Sequence, residues 1–176
     1  REDYGHFLGP IKDLIQRETL VQRLRGMFGA GWYHSPRKVV SPDTFPGLKS
    51  FTRNLHTIID LAQTDETQVV LMTQPYFPHI GMTQEEENSL YMLKQEAVGP
   101  NARWSLETAI RGFAAYNNAV REIAIERQVP LIDLESAVPK EQQYFNDDVH
   151  YADNAYPLLS DYIAQELVRL TTLNSL

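Results

Sequence analysis

Pro130-Leu131-Ile132-Asp133-Leu134 is a short apolar run, and Val69-Val70-Leu71-Met72, which Pro75 ends, is a second one. A continuous rather than alternating apolar run is typical of a parallel strand that is covered on both faces. The runs predict strands over 69–73 and 130–134. An amphipathic segment separates them, so the pattern predicts a βαβ unit with parallel strands and a right-handed crossover. We therefore expect an α/β fold.

Amphipathic stripes predict several helices around these strands. The clearest runs from about Ser105 to Gln128, with Ser105 as its N-cap. Further helices are predicted over about 10–28, 47–63 and 85–94, and a last one starts near Asp153 or Asn154. The inner stripe of the last helix is predicted to be Tyr156, Leu159, Ile163, Leu167 and Leu170.

Glycine and proline residues punctuate residues 29–46, which we interpret as a long loop or insertion. A connection of this length is unusual in a compact domain, so it is expected to be functional or mobile. Trp32-Tyr33-His34 within it either lines a site or anchors the loop by aromatic packing.

Composition sets limits on the class of protein. The 176 residues suit about one domain, and 43% apolar residues are enough for a core. The formal charge of -7 disfavours nucleic acid or an anionic membrane surface as a partner. No apolar run approaches the roughly 18 residues of a transmembrane helix. The compartment is unknown; the lack of cysteines leaves an exported or periplasmic location slightly favoured over the cytoplasm.

The predicted elements pose a packing problem. Two parallel strands cannot bury the apolar stripes of four or five helices, and an isolated pair of strands is marginal in water. The sheet therefore needs further strands. We expect them either before Arg1 in the native polypeptide or in a second chain.

Two loops leave the carboxyl ends of the predicted strands, where ligands gather in open α/β sheets. The second loop, 135–150, carries Asp147 and His150. Asp147 can accept a hydrogen bond from one ring nitrogen of His150 and leave the other nitrogen as a general base. Alternatively, Asp147 is a cap and His150 a surface residue. On the first loop, 74–80, the candidate substrate-binding residues are Gln74, Tyr76 and His79; the alternative for His79 is an aromatic cluster over the sheet edge.

The order of several segments resembles the C-terminal half of the SGNH/GDSL hydrolases. These segments are Tyr116-Asn117, Val120-Arg121-Glu122-Ile123-Ala124, 129–134 and 145–150, and the resemblance covers about 48–170. It implies a three-layer α/β/α, flavodoxin-like fold. Residues 1–176 would then be the C-terminal part of one such domain, whose N-terminal strands are missing from this chain.

The same resemblance implies serine ester hydrolysis through an acyl-enzyme, without metal or organic cofactor. Asp147 would orient His150, which would act as the general base. The family acts on lipid esters, aryl esters and acetylated sugars. Here the loop over 29–46 and residues 76–103 are the expected specificity elements. Two residues depart from the family pattern: Asp148 and Ala155 stand where glycine is common. Asp148 would change little if it is solvated, but would raise the basicity of the imidazole if it faces the site.

The nucleophile is the larger departure. The family's Gly-Asp-Ser and Gly-x-Asn-Asp blocks do not occur in this sequence, and Ser35, Ser41 and Ser160 lie in unsuitable places. The serine is therefore expected from the absent N-terminal segment or from a complementary chain. Without the oxyanion donors, this chain alone should be inactive.

Other interpretations stay open at this point. An O-acetyltransferase could use the same scaffold, and a non-catalytic binding or structural subunit could keep Asp147 and His150 by descent. A metal site at Asp147, Asp148 and His150 is disfavoured because no second histidine stands at ligand spacing.

Overall fold

The computed structural model describes residues 38–90, 93 and 102–173. The predicted helix over 10–28 and the aromatic segment Trp32-Tyr33-His34 lie outside these residues. The described elements are, in chain order, β1 (Lys38–Val40), α1 (Gly47–Thr64), β2 (Leu71–Met72), α2 (Gln84–Ser89), β3 (Ala102–Trp104), α3 (Leu106–Arg127), β4 (Leu131–Ile132), α4 (Leu134–Ala137), a 3₁₀ turn (Gln142–Tyr144) and α5 (Ala155–Leu173). Within the described ranges, no helix combines the length and the apolar character that crossing a membrane requires.

Strands β2 and β4 pair in parallel, with Leu71 opposite Leu131 and Met72 opposite Ile132. The predicted parallel pairing is thereby confirmed, but both strands are shorter than predicted. The apolar run over 130–134 is divided, because Leu134 already begins α4. The Thr73 hydroxyl accepts a hydrogen bond from the backbone N–H of Glu135 (2.9 Å), which satisfies a donor in the first turn of α4.

A second parallel pair, β1 with β3, was not predicted. Lys38, Val39 and Val40 lie opposite Ala102, Arg103 and Trp104. Residues 38–40 of the predicted loop over 29–46 are therefore a strand, and residues 29–37 lie outside the described part. Each strand has three residues, which is too short for an alternating pattern to stand out from its surroundings. The described residues form a mixed α/β structure with short parallel strands.

The two long central helices match their predictions closely. Helix α3 has Ser105 as its N-cap, whose hydroxyl accepts from the N–H of Thr108 (3.1 Å). Its C-cap is Gln128, which adopts the left-handed conformation with φ 53°. It packs closely against Phe45 at a glycine: a Cβ added at Gly112 would lie 3.2 Å from Cε1 of Phe45. Helix α1 ends one residue beyond its predicted end.

The predicted inner stripe of the last helix is confirmed in part. Leu159 is buried, and Ile163 and Leu170 pack against the core. Tyr156 and Leu167 are exposed, so their predicted burial is wrong. Ala155, Leu158 and Tyr162 complete the inner face, which follows helical spacing. Helix α2 begins in a capping box formed by Thr83 and Glu86 and is shorter than its predicted range.

Neighbouring residues of β2 and β4 contribute to two different apolar clusters. Leu71 and Leu131 belong with Ile59 and with residues of α3. Ile132 packs with Leu159 of α5 and with loop residues that follow the strands. This division follows from the alternation of side chains along a strand. The loops after β2 and β4 therefore start from strands that are packed on both faces.

Candidate functional site

A compact turn after β4, residues 146–150, carries the predicted acid–base pair; we call it the Asp–His turn. Phe145 and Tyr151 flank it and form an isolated antiparallel bridge. Asn146 closes it with two hydrogen bonds, from its backbone N–H to the carbonyl of His150 (2.8 Å) and from Nδ2 to the carbonyl of Tyr151 (2.9 Å). The buried ring of Phe145 anchors the turn in the core.

Within this turn the structure brings Asp147 and His150 together. Nδ1 of His150 lies 2.7 Å from Oδ2 and 2.9 Å from Oδ1 of Asp147. Oδ1 also accepts from the backbone N–H groups of Val149 (3.0 Å) and His150 (2.9 Å). The Asp147 side chain is 20% exposed and that of His150 is 75% exposed. The acid is therefore held by its neighbours, whereas the imidazole reaches solvent.

The electrostatics of Asp147 favour its ionised form. Burial by itself raises the pKa of this carboxyl, but the hydrogen bonds from the His150 and Val149 amides and from the imidazole outweigh it and lower the pKa. An ionised carboxylate accepts a proton-bearing Nδ1, which leaves the lone pair on Nε2 in the neutral imidazole. The arrangement can therefore orient a general base whose Nε2 faces away from Asp147.

Asp148, the neighbouring carboxylate, is 1% exposed, so the interpretation of Asp148 as a solvated residue is wrong. Its backbone carbonyl accepts from the N–H of Phe77 (2.8 Å), which joins the two loops. The rings of Phe77 and Phe145 stack at 5.6 Å beside this contact. Ala155, the other departure from the family pattern, is buried in the same apolar cluster.

Gln74 lies next to the second loop, as its place after β2 allows. Its side-chain Nε2 donates to the hydroxyl of Tyr151 (2.8 Å), the residue that follows His150. Its backbone is held by the side chain of Asn117, which accepts from the Gln74 N–H (2.8 Å) and donates to the Gln74 carbonyl (2.9 Å). Gln74 is thus connected both to α3 and to the Asp–His turn.

The other two candidate substrate residues lie elsewhere. Tyr76 is buried, stacks on Phe113 at 4.8 Å and has Nζ of Lys140 3.1 Å from its ring centroid. Burial and the nearby Glu135 raise the pKa of Tyr76 to about 12. Tyr76 therefore packs inside the domain, and its contact with substrate stays a prediction.

His79 is half-buried at the far end of the first loop. Its Nδ1 lies 3.1 Å from the carbonyl of Ile80, and its ring meets Phe77 edge-on at 5.8 Å. Among the described residues, His79 makes no hydrogen bond to Asp147 or His150. Its predicted contact with substrate likewise stays a prediction.

A second group of polar side chains was not predicted as a unit. We call it the polar cluster; its members are Thr73, Asn117, Arg121, Asp133 and Glu135. One guanidinium nitrogen of Arg121 lies 2.8 Å from Asp133 and 2.7 Å from Glu135. Asn117 donates to Glu135 (2.9 Å), and Thr73 donates to Asp133 (2.6 Å). The cluster thereby ties α3 to the carboxyl ends of β2 and β4.

The charges of the polar cluster compensate one another. Burial raises the pKa of the Asp133 carboxyl, but hydrogen bonds from Arg121, Thr73 and Ser136 bring it below its usual range. A sequence signal did exist: Asn117 and Arg121 stand four residues apart on the helix, and both acids follow a strand. Across the described part of the chain, no group of three or more metal-ligating side chains could hold a metal ion.

The rejected serines are engaged away from the Asp–His turn. Ser41 shares a hydrogen bond with Ser105 (3.0 Å), and Ser160 donates to the carbonyl of Pro157 (3.0 Å). Ser35 lies outside the described residues. No serine within the described ranges hydrogen-bonds to His150.

Comparisons with known proteins gave limited results. No protein-family model matches the sequence, and no curated protein matches it. Among solved structures, the chain is similar to the crystal structure of a GDSL-like lipase from Bacteroides thetaiotaomicron, at 15% sequence identity and a TM-score of 0.48. The match covers 70% of this chain and 53% of the lipase chain, so the chain spans about half the length of that protein. Membership of the family remains a prediction.

Proposed function

We propose that this chain carries the acid–base half of a serine ester hydrolase of the SGNH/GDSL type. His150 is the general base: it removes the proton from a serine hydroxyl and later returns a proton to the leaving alcohol. Asp147 orients the imidazole and stabilises its protonated form. The nucleophilic serine and the oxyanion donors come from residues outside this sequence, since no Gly-Asp-Ser block occurs in it.

The single observation that carries this proposal is the 2.7 Å contact between Asp147 and Nδ1 of His150. It coincides with a 75% exposed imidazole. A purely structural histidine gains stability from being packed, whereas a base must keep one nitrogen open to its reactant. The place of the pair, on a loop after the carboxyl end of a parallel strand, is where α/β folds bind ligands.

The proposed fold is the three-layer α/β/α arrangement. It is supported by the two apolar clusters that β2 and β4 serve, one with Leu71 and the long helices and one with Ile132 and α5. Further strands beside β2 would extend the sheet and complete the site.

The test uses the protein as it is encoded, including any residues before Arg1. A serine-directed fluorophosphonate should label one serine, and the His150→Ala variant should lose that labelling by at least about 100-fold, because a general base contributes about 10²–10⁴ in rate. Mass spectrometry of the labelled peptide identifies the nucleophile.

The matched control is His56→Ala, which removes a histidine from α1. It should keep labelling within about threefold, because the His56 ring lies near Glu126 and Arg127 and, among the described residues, makes no hydrogen bond to Asp147 or His150. Undiminished labelling of His150→Ala in a folded protein would refute the role proposed for His150.

A further inference from the structure

The Asp–His turn has two separate geometric requirements. The first is the contact between Asp147 and His150. The turn supplies this contact from its own backbone, because Asp147 also accepts from the Val149 and His150 amides. The second requirement is the position of the turn relative to the carboxyl ends of β2 and β4, where α/β folds bind ligands. Bonds inside the turn do not fix that position, so contacts with another part of the chain must do so.

The loop after β2 provides such contacts. The backbone N–H of Phe77 donates to the carbonyl of Asp148 (2.8 Å), inside the turn. Nε2 of Gln74 donates to the hydroxyl of Tyr151 (2.8 Å), directly after the turn. The first bond joins two backbone groups, whereas the second depends on two particular side chains. Of these two bonds, side-chain substitution can therefore remove the second and leave the first in place.

The orientation of the Gln74 amide is fixed by a second acceptor. Its Nε2 also donates to the carbonyl of Pro75 (3.0 Å), and a carbonyl can only accept. The amide nitrogen, not the amide oxygen, therefore faces Tyr151, whose hydroxyl oxygen is the acceptor. Burial raises the pKa of the Tyr151 hydroxyl, although the hydrogen bond from Gln74 lowers it, so the hydroxyl stays neutral. The bond thus joins two neutral groups, and a substitution that removes it leaves no buried charge.

The backbone of Gln74 is itself held in place. Asn117, which is 3% exposed on α3, accepts from the Gln74 N–H (2.8 Å) and donates to the Gln74 carbonyl (2.9 Å). Gln74 is therefore a fixed point from which its amide can hold the turn. Tyr151 transmits this restraint, since it bridges to Phe145 and its carbonyl accepts from Nδ2 of Asn146 (2.9 Å).

We propose that Gln74 is a positioning residue for His150. Its bond to Tyr151 holds the Asp–His turn at the distance from the strand ends at which the imidazole reaches the nucleophile. The consequence for catalysis rests on the function proposed above, whereas the attachment of the turn to the loop after β2 rests on these contacts alone. A misplacement of about 1 Å can cost about 10²-fold in rate, so a partly released turn should react more slowly.

The first experiment measures the rate of fluorophosphonate labelling in the protein as it is encoded. Gln74→Met keeps the length of the side chain and removes the donor, and Tyr151→Phe removes the acceptor. Each should slow labelling about 5- to 50-fold. The midpoint of the pH profile should not change, because the contact between Asp147 and His150 stays intact. The double variant should label within about twofold of the slower single variant, since both substitutions remove the same bond. Losses that multiply in the double variant would overturn the proposal.

The matched control is Gln84→Met. It makes the same substitution at an exposed glutamine of α2, whose Nε2 lies 3.5 Å from Oδ1 of Asn88. It should keep the labelling rate within about twofold of that of the unmodified protein. A labelling rate of Gln74→Met as high as that of this control would also overturn the proposal.

The second experiment does not depend on a reactive serine. Amide hydrogen exchange, followed by NMR, reports the two requirements separately. The Phe77 amide reports the attachment of the turn to the loop after β2, and the Val149 and His150 amides report the geometry inside the turn. In Gln74→Met, exchange of the Phe77 amide should become about 3- to 10-fold faster, whereas exchange of the other two should change less than about twofold.

The outcomes separate this proposal from the proposed function. If the unmodified protein is not labelled, the proposed function fails, and faster exchange at Phe77 still supports the attachment of the turn by Gln74. If the protein is labelled but exchange at Phe77 is unchanged in Gln74→Met, the positioning role is overturned and the proposed function stands. Equal acceleration of all three amides would overturn the positioning role too, because it would show that the substitution destabilises the protein generally.

Discussion

The Asp–His turn and the polar cluster both place carboxylates near the carboxyl ends of β2 and β4, but they are built differently. The turn joins residues three positions apart, and its imidazole is 75% exposed. The cluster joins residues up to 62 positions apart, and its central side chain, Asn117, is 3% exposed. Local, exposed pairs contribute little to stability, whereas buried networks contribute much. The comparison indicates that the polar cluster stabilises the fold, whereas the Asp–His turn contributes little to stability and leaves its imidazole accessible to a reactant.

The largest effect should come from the centre of the cluster. Asn117→Ala removes three hydrogen bonds and leaves the backbone N–H and C=O of Gln74 without their partner. The free energy of unfolding should fall by about 3 kcal/mol, since buried groups are left unsatisfied. Urea denaturation of the chain measures this loss. The control is Asn118→Ala, on the exposed side of the same helix. It removes one exposed hydrogen bond from Arg121 (3.1 Å) and leaves no buried group unsatisfied, so it should change stability by less than about 1 kcal/mol. Equal losses for both variants would remove the distinction between the two regions.

A smaller loss is expected when the cation of the cluster is removed. Arg121→Met leaves Asp133 and Glu135 without their shared partner and should cost about 2 kcal/mol at pH 7. The Asp133 pKa is lowered in the folded protein, so its stabilisation is present above the unfolded pKa and is lost as the pH falls. The difference in the free energy of unfolding between Arg121→Met and the unmodified chain should therefore become smaller as the pH falls. The loss occurs below about pH 4, as the pH falls through the lowered folded pKa, so urea titrations at pH 7 and about pH 3 measure it. A difference that grows at low pH would contradict this account.

Lys140 contacts the polar cluster through Glu135. We expect its titration to make the free energy of unfolding depend on pH in the alkaline range. Burial lowers its pKa to about 8 against the pull of Glu135. Between that value and the unfolded pKa of roughly 10.4, the unfolded chain binds more protons, so this residue makes stability rise with pH. Partial exposure reduces the effect to about 1 kcal/mol. Thermal melts from pH 7.5 to 10 should show a shallower rise or a steeper fall for Lys140→Met than for the unmodified chain. Parallel curves would show that Lys140 is not desolvated.

The smallest effects should come from the Asp–His turn. His150→Ala should change the free energy of unfolding by less than about 0.5 kcal/mol, because its side chain is largely exposed. Asp147→Ala should cost about 1 kcal/mol, because the carboxylate also accepts from the Val149 and His150 amides. Urea denaturation at pH 7 compares the two variants with Asn117→Ala. A loss above about 1.5 kcal/mol for His150→Ala would mean that the turn is part of the structural core.

The sequence by itself determined the features that depend on short-range pattern. Continuous apolar runs predicted β2, β4 and their parallel pairing. Helical periodicity predicted the bounds of α1 and α3 almost to the residue, and Ser105 was predicted as the N-cap of α3. The sequence left two alternatives for Asp147 and His150: a contact between the side chains, or a capping acid beside a surface histidine. The structure shows the contact, together with the capping bonds of Asp147 and an exposed imidazole. The catalytic role of this contact stays a proposal.

Only the tertiary structure decided the features that depend on residues far apart in the chain. The pairing of β1 with β3 and the polar cluster each unite segments separated by dozens of residues. The spacing of Asn117 and Arg121 places them on one helix face, but it does not predict which acids they meet. The burial of Asp148 and the exposure of Tyr156 and Leu167 belong here too, because side-chain burial is set by the partner that covers a surface. Local pattern restricts the backbone of each segment, whereas packing selects which of its side chains meet.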